Sequence, residues 1–193
     1  MPNCANISKN LILALCAATA AGIENEIIIG NHDDIDFGEC EVSNGVISAL
    51  VLKSGKHAYK YSSAKNAFEC QSPLVKGTYI NTFDHQVVAR ILTKSQDIKD
   101  ELNKLSQGKV FVIVKNKSNV DDEVKYEVYG FENGLEMSDL QNPSTDTDGV
   151  IYTVSFASAD GAKESQLPLS FYDTSLTKTE QDIEALLPTA SAS

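Results

Sequence analysis

Hydrophobic and polar positions alternate along most of this chain in short runs, interrupted once by helical periodicity and closed by a second helical stretch. Alternation with a period of two marks strands that bury one face, so seven or eight short strands are expected. The first covers residues 26–29, three isoleucines stopped by the turn cluster Gly30, Asn31, His32, Asp33 and Asp34. Residues 46–52 follow Asn44-Gly45 and lead through Lys53-Ser54-Gly55-Lys56 into 57–61. Asn-Gly and Ser-Gly supply the positive φ angles of tight turns, so this region predicts a hairpin. Residues 62–77 are polar and weakly periodic, and read as a long loop.

From 78 to 92 the odd positions Tyr79, Phe83, His85, Val87, Ala89 and Ile91 share one parity, which predicts one long strand. Thr93 and Gln96 form a capping-box pattern before Ile98, Leu102 and Leu105, and Gly108 stands where a C-cap is expected. Residues 109–115 are a strongly apolar strand and 116–122 a turn, with a further strand over 124–131 carrying Tyr126 and Val128 on one face. A polar segment runs from Gly134 to Gly149, after which Val150, Tyr152, Val154 and Phe156 alternate. Residues 167–172 contain Pro168 and predict an edge strand. Thr177 and Glu180 suggest a cap for a last helix with Ile183, Leu186 and Leu187 inward, ended by Pro188.

These elements predict a mainly β, α+β fold: a β-sandwich or barrel with one flanking helix and a short C-terminal helix. At 193 residues with 42% hydrophobic content, the chain supports one sizeable core. Residues 24–187 are read as a single β-rich domain, 1–23 as an N-terminal arm and 188–193 as a flexible tail. Leu11, Ile12, Leu13, Ala14 and Leu15 make the arm apolar, and residues 13–16 resemble a lipoprotein cleavage box ending in Cys16. The stretch is shorter than the roughly 20 apolar residues a membrane span requires, and an arm packed on the core or on a neighbouring subunit is preferred.

Charge removes one class of partner. Sixteen Lys and Arg against 27 Asp and Glu give a net charge of −11, which disfavours a surface that grips phosphates. Cys4, Cys16, Cys40 and Cys70 contain no C-x-x-C pair, and four reduced, small apolar side chains are expected. Asp33, Asp34 and Asp36 beside His32, and Asp146 and Asp148 before Gly149, lack the later bidentate Glu of a calcium loop and read as solvated turns. Asp121, Asp122 and Glu123 form an acidic turn. His32, His57 and His85 fall in different elements, with His85 on an apolar strand face as a structural histidine. No nucleophile elbow or phosphate-cradling glycine loop occurs, so no catalytic residue, metal or cofactor is expected.

The run Tyr126-Glu127-Val128-Tyr129-Gly130-Phe131-Glu132-Asn133-Gly134-Leu135 is followed by the acidic turn, the strand over 150–157, a Leu-Pro strand and a Thr-rich terminal helix. This order resembles virion structural proteins of tailed phages, and in particular major tail tube proteins. The resemblance implies a subunit, assembled in the host cytoplasm into the virion, that self-associates into hexameric rings stacked around a DNA channel. Its acidic lumen would let DNA pass without specific binding, and neither a membrane nor a small-molecule substrate is involved. In that family a helix flanks the barrel, here the one expected over 96–107, and long loops and terminal arms join the rings, here 62–77 and 1–23. Two other classes share the composition: a capsid decoration or head–tail connector protein, and an exported lipoprotein or surface adhesin anchored through Cys16.

Overall fold

Strands and helices are laid out along residues 22–63, 66–117, 121–143 and 149–188, the parts of the chain that the computed structural model describes. The first half carries β1 (Ile23–Asn31), β2 (Glu41–Ser43), β3 (Val46–Ala49), β4 (Tyr59–Ser62) and β5 (Phe68–Gln71). Then come β6 (Leu74–Val75), β7 (Thr82–Phe83), β8 (Gln86–Ile91) and helix α1 (Gln96–Leu105). The second half adds β9 (Lys109–Asn116), β10 (Tyr126–Tyr129), β11 (Leu135–Gln141), β12 (Tyr152–Ser158), β13 (Leu169–Phe171) and helix α2 (Leu176–Ala185).

Strand β9 organises the rest. Along one edge it pairs antiparallel with β1, Ile28 opposite Ile113 and Ile29 opposite Val112. Along the other it pairs first with β10 and then, through Leu135 and Glu136 alone, with β11. Past that point β11 leaves β9 and continues into β12, β8 and β5, with a register shift between Met137 and Asp139. An extra residue bends a strand and sharpens its twist. The sheet therefore folds over on itself, and β8 and β12 pack Val87, Tyr152, Val154 and Phe156 against Ile27 and Ile29 of β1 and Val110, Val112 and Val114 of β9. The opposite face of β9 and β1 carries Phe111, Ile113 and Ile28, which pack with Val128 and Phe171 beneath Ile183 and Leu186 at the C-terminal helix. A strand buried on both faces has no position for a polar break. The unbroken run Val110-Phe111-Val112-Ile113-Val114 is the result, each residue at most 1% exposed.

The architecture is the expected mainly β, α+β arrangement, in its sandwich form; the sheet does not close into a barrel. Several finer expectations are corrected. Asn44 (φ +53°) and Gly45 (φ +82°) do form a two-residue turn, but it joins β2 to β3. The hairpin expected between 46–52 and 57–61 is not formed: β3 pairs with β13 in parallel, and β4 pairs with β1. The loop expected over 62–77 contains β5 and β6, because Phe68 and Cys70 turn inward between the outward Glu69 and Gln71, a pattern only four residues long. The single strand expected over 78–92 is two, interrupted at Asp84 and His85. The strand expected over 124–131 is confined to β10, preceded by a 3-10 turn at Asp122–Val124. The polar segment 134–149 holds β11, which shows only one fully buried residue, Leu135. Nor is β13 an edge strand, since it lies between β10 and β3; Pro168 stands just before it, where its missing N–H takes nothing from the ladder.

Both helix starts are set two residues from where the capping-box pattern put them. Ser95 Oγ accepts the N–H of Ile98 at 3.2 Å, and Ser175 Oγ that of Lys178 at 3.2 Å, so neither Thr93 nor Thr177 caps. Helix α1 ends at Ser106, whose N–H reaches Leu102 O at 3.0 Å, before Gly108. The C-terminal helix is tied to the sheet by Lys115 and Tyr126, both within 3.1 Å of Glu180. Burial of its apolar face contributes far more than such partly exposed pairs, which stabilise by at most about 1 kcal/mol.

One residue of β1 is set by steric fit alone. Gly30 lies opposite Phe111, and a Cβ on it would run into the Phe111 ring. Gly30→Ala is expected to lower unfolding free energy by about 1–3 kcal/mol through overpacking. Ile113→Ala should lower it by about 2–5 kcal/mol through the cavity it leaves. Urea denaturation followed by circular dichroism measures both, and Leu140→Ala at a half-exposed position should change it by less than about 0.5 kcal/mol.

Candidate interaction surface

Strands β6 and β7 form a separate two-stranded hairpin, Leu74 opposite Phe83 and Val75 opposite Thr82. The side chains of β6 and of the tip face outward, while Thr82 and Phe83 are half-buried. Tyr79 is 96% exposed, Ile80 72% and Leu74 50%. The tip is tight, because the carbonyl oxygen of Ile80 occupies the space a Cβ on Gly77 would need. Large apolar groups gathered on a projecting turn are the kind of exposure that marks a protein contact.

A buried polar cluster holds the base of this hairpin. Phe83 and Glu164 exchange backbone hydrogen bonds at 2.8 and 3.0 Å, and Asp84 N–H donates to Pro73 O at 3.0 Å. Lys163 Nζ lies 2.9 Å from Asp84 Oδ1 and donates to Ser158 O at 2.6 Å. The Glu164 carboxylate accepts the N–H groups of Glu132 and Asn133, both at 3.0 Å, while the Glu132 carboxylate accepts the N–H and hydroxyl of Ser165. The two carboxylates thus clasp the segment after β10 and the segment before β13 reciprocally. Glu164 is 2% exposed, and burial pushes its carboxyl above the ordinary range against the pull of its two backbone donors.

His85 completes the base. Its Nδ1 accepts the N–H of Gly130 at 3.1 Å, so the proton sits on Nε2, which donates to Gln166 O at 3.0 Å. Burial pushes its pKa down to about 4, with the Gln166 carbonyl, Glu132 and Asp84 opposing. The ring is neutral at pH 7, a structural histidine as its place on the strand pattern suggested. Both ring nitrogens and both Glu164 oxygens are engaged by backbone groups, and neither side chain lines the cavity described below.

The remaining candidates are scattered. His32 turns inward, its Nε2 3.0 Å from Phe131 O. Asp34 pairs with Lys56 and Asn31, and Asp36 accepts the N–H of Gly38, so the three aspartates do not converge. His57 has its Nδ1 buried without a hydrogen-bond partner among the described residues. Asp121, Asp122 and Glu123 are exposed at the 3-10 turn. Asp146 and Asp148 lie outside the described residues, as do Cys4 and Cys16. Among the described residues no group of three or more His, Cys, Asp or Glu is arranged to hold a metal ion. Cys40 and Cys70 are free thiols packed against the two separate core clusters, and burial raises the pKa of each.

Glu132, Ser158, Lys163 and Glu164 were not singled out in the sequence. They are brought together from the turn after β10, the end of β12 and the turn that follows it, and no spacing signals that. The apolar pairs Leu74-Val75 and Tyr79-Ile80, set in a polar stretch, were the available sign of the hairpin.

A cavity of about 450 Å³ lies elsewhere, between α1 and the β8–β12 face. Tyr61, Phe68, Ile91, Leu102, Leu105 and Val154 form its apolar wall, with Ser62, Ser63 and Arg90 also lining it. Comparisons with known proteins add no relative: no family model matches the chain, and neither the curated proteins nor the solved structures give a match.

The histidine sets a pH dependence. A ring with folded pKa near 4 and unfolded pKa near 6.5 contributes stability that is present above pH 6.5 and lost as pH falls towards 4. Glu164, whose pKa is raised, acts in the opposite sense, its ionisation penalty being relieved as pH falls. Urea titrations at pH 7, 5.5 and 4.5 should show His85 contributing a loss on the order of 3 kcal/mol across that window. His85→Gln should be less stable at pH 7 and show a shallower acid slope, whereas an unchanged slope would remove His85 as its source.

Proposed function

We propose that this chain is a self-assembling structural subunit of a tailed-phage virion, a tail tube protein whose hexameric rings stack around a DNA channel. The observation that carries the reading is the β6–β7 hairpin: an apolar tip, exposed to solvent, on a base locked by backbone hydrogen bonds and buried carboxylates. A contact element held in one conformation loses little entropy when a partner docks. Its first strand lies within residues 62–77, which the family resemblance makes an inter-ring loop, and its exposed Tyr79 and Ile80 follow directly after. Strands β2 and β5, at the two ends of the long strand path and unpaired on their outer edges among the described residues, offer backbone groups for ladder pairing between neighbouring subunits. The net charge of −11 suits a conduit from which DNA phosphates are repelled. On this reading the protein has no catalytic residue and no cofactor, and its partners are copies of itself and other virion proteins.

Negative-stain electron microscopy over a concentration series, with intact mass on the same sample, tests it. Wild-type protein should form rings and stacked tubes with a central channel. The double variant Tyr79→Asp, Ile80→Asp should keep its circular dichroism spectrum and unfolding midpoint while stacking is lost. Rings that never stack would favour a connector or decoration protein. A chain lacking residues 1–15 and carrying a lipid mass at Cys16 would replace the virion reading with an anchored surface protein.

A further inference from the structure

The cavity beneath α1 is an apolar space that no side chain among the described residues fills, beside the point where the described chain begins. Of the apolar residues on α1 only Leu102 is buried; Ile98 and Leu105 remain partly open, as do Tyr61, Phe68 and Ile91 on the opposing strands. Protein interiors pack such walls against something, since a void forfeits dispersion contacts along its whole lining. Ser62 and Ser63 line the cavity, Ser62 is paired with Glu26, and Ser63 N–H donates to Asn25 O at 2.9 Å. The first residues of β1 therefore lie at this margin of the cavity. Gly22 just before them holds φ +108°, a value that suits glycine, at a bend in the chain.

Residues outside the described set are 1–21, 64–65, 118–120, 144–148 and 189–193. Among these segments only the first contains a sustained apolar run: Leu11, Ile12, Leu13, Ala14, Leu15, Cys16, Ala17 and Ala18, without a charge. Residues 15–21, extended, span up to about 25 Å, enough to return from Gly22 to the cavity. A tether that short gives the run an effective concentration in the millimolar range, well above what a free second chain supplies.

We propose that the cavity under α1 is the docking site for the apolar run 11–18 of the same chain, which enters it as a plug that completes the core cluster on that side. This does not rest on the virion reading. It assigns a role to the run that the fold and the hairpin leave unused, and it makes α1 the wall of a receptor for an intramolecular segment. The leucine and isoleucine side chains supply the apolar contacts, and Tyr61, whose hydroxyl donates to Glu101 at 3.4 Å, remains satisfied without them.

Site-directed cross-linking of the full chain tests the proposal. In a background with Cys4, Cys40 and Cys70 replaced by Ala, Cys16 is kept and Leu105→Cys introduces a second thiol at the cavity wall. A short bis-maleimide applied to a mixture of unlabelled and ¹⁵N-labelled protein should give a peptide joining the two positions with both halves of one isotope. Mixed-isotope peptides in statistical proportion would mean that a second copy fills the site, and would overturn the proposal. So would the absence of any cross-link, or an intact mass showing that residues 1–15 are missing. A second measurement in the natural cysteine background leaves the described fold untouched: Leu13→Lys with Leu15→Lys should raise 8-anilinonaphthalene-1-sulfonate fluorescence several-fold by opening the cavity. Unchanged dye binding in that variant would overturn the proposal as well.

Discussion

Everything in this molecule depends on one strand being buried on both faces and paired on both edges. Strand β9 has no free side, so its five central residues are all apolar and its two edges are both committed, to β1 on one side and to β10 and β11 on the other. Each fully buried Val, Ile or Phe contributes about 1.5–3 kcal/mol, and this strand, with its neighbours β1 and β10, supplies side chains to both apolar layers. The fold-over at β11 follows from the same constraint. Once β10 and β11 share an edge of β9, β11 is held to β9 through Leu135 and Glu136 alone; it is paired with β12 from Leu135 onwards, and the two leave β9 together across the irregularity after Met137.

The polar cluster around His85 and Glu164 is the counterpart of this apolar scaffold. Buried polar groups are tolerated where every lone pair and proton finds a partner, and here the partners are mostly backbone groups of three different turns. The cluster makes those turns mutually dependent, because withdrawing the Glu164 carboxylate strands the N–H groups of Glu132 and Asn133, and withdrawing that of Glu132 strands the N–H and hydroxyl of Ser165. That is how a short two-stranded hairpin, marginal in isolation, projects from the sheet with its apolar side chains outward.

The sandwich was legible in the sequence where periodicity was long or unbroken, as in β9, β12 and the odd-numbered face of β8. Both helices were legible through their apolar faces, Ile98, Leu102 and Leu105 in one and Ile183 and Leu186 in the other. Their starts were not, because the Thr-x-x-Gln and Thr-x-x-Glu patterns competed with Ser95 and Ser175, which cap without a returning Glu or Gln. Strands β5 and β11 were hidden for a different reason: they lie where few side chains are buried, so the period of two has almost nothing to mark it. The partner of β3 was also out of reach, since local turn chemistry at Ser54-Gly55 says nothing about a strand that arrives more than a hundred residues later. The hairpin and its base belong to that same class, being built from tertiary juxtaposition.

The parallel pairing of β13 with β3 has a temporal consequence. Ser170 and Phe171 meet Val46 and Ile47, so one of the widest sequence separations in the fold closes between strands near its two ends. Loop closure over such a distance is slow, and on the ribosome it waits until residues 169–171 have emerged. Until then β3 has only the short β2 beside it, and Ile47 has no sheet to be buried in. Completion of the sheet therefore waits on β13: a nascent chain that has not yet reached it presents β3 as an open edge, and one that has can bury Ile47.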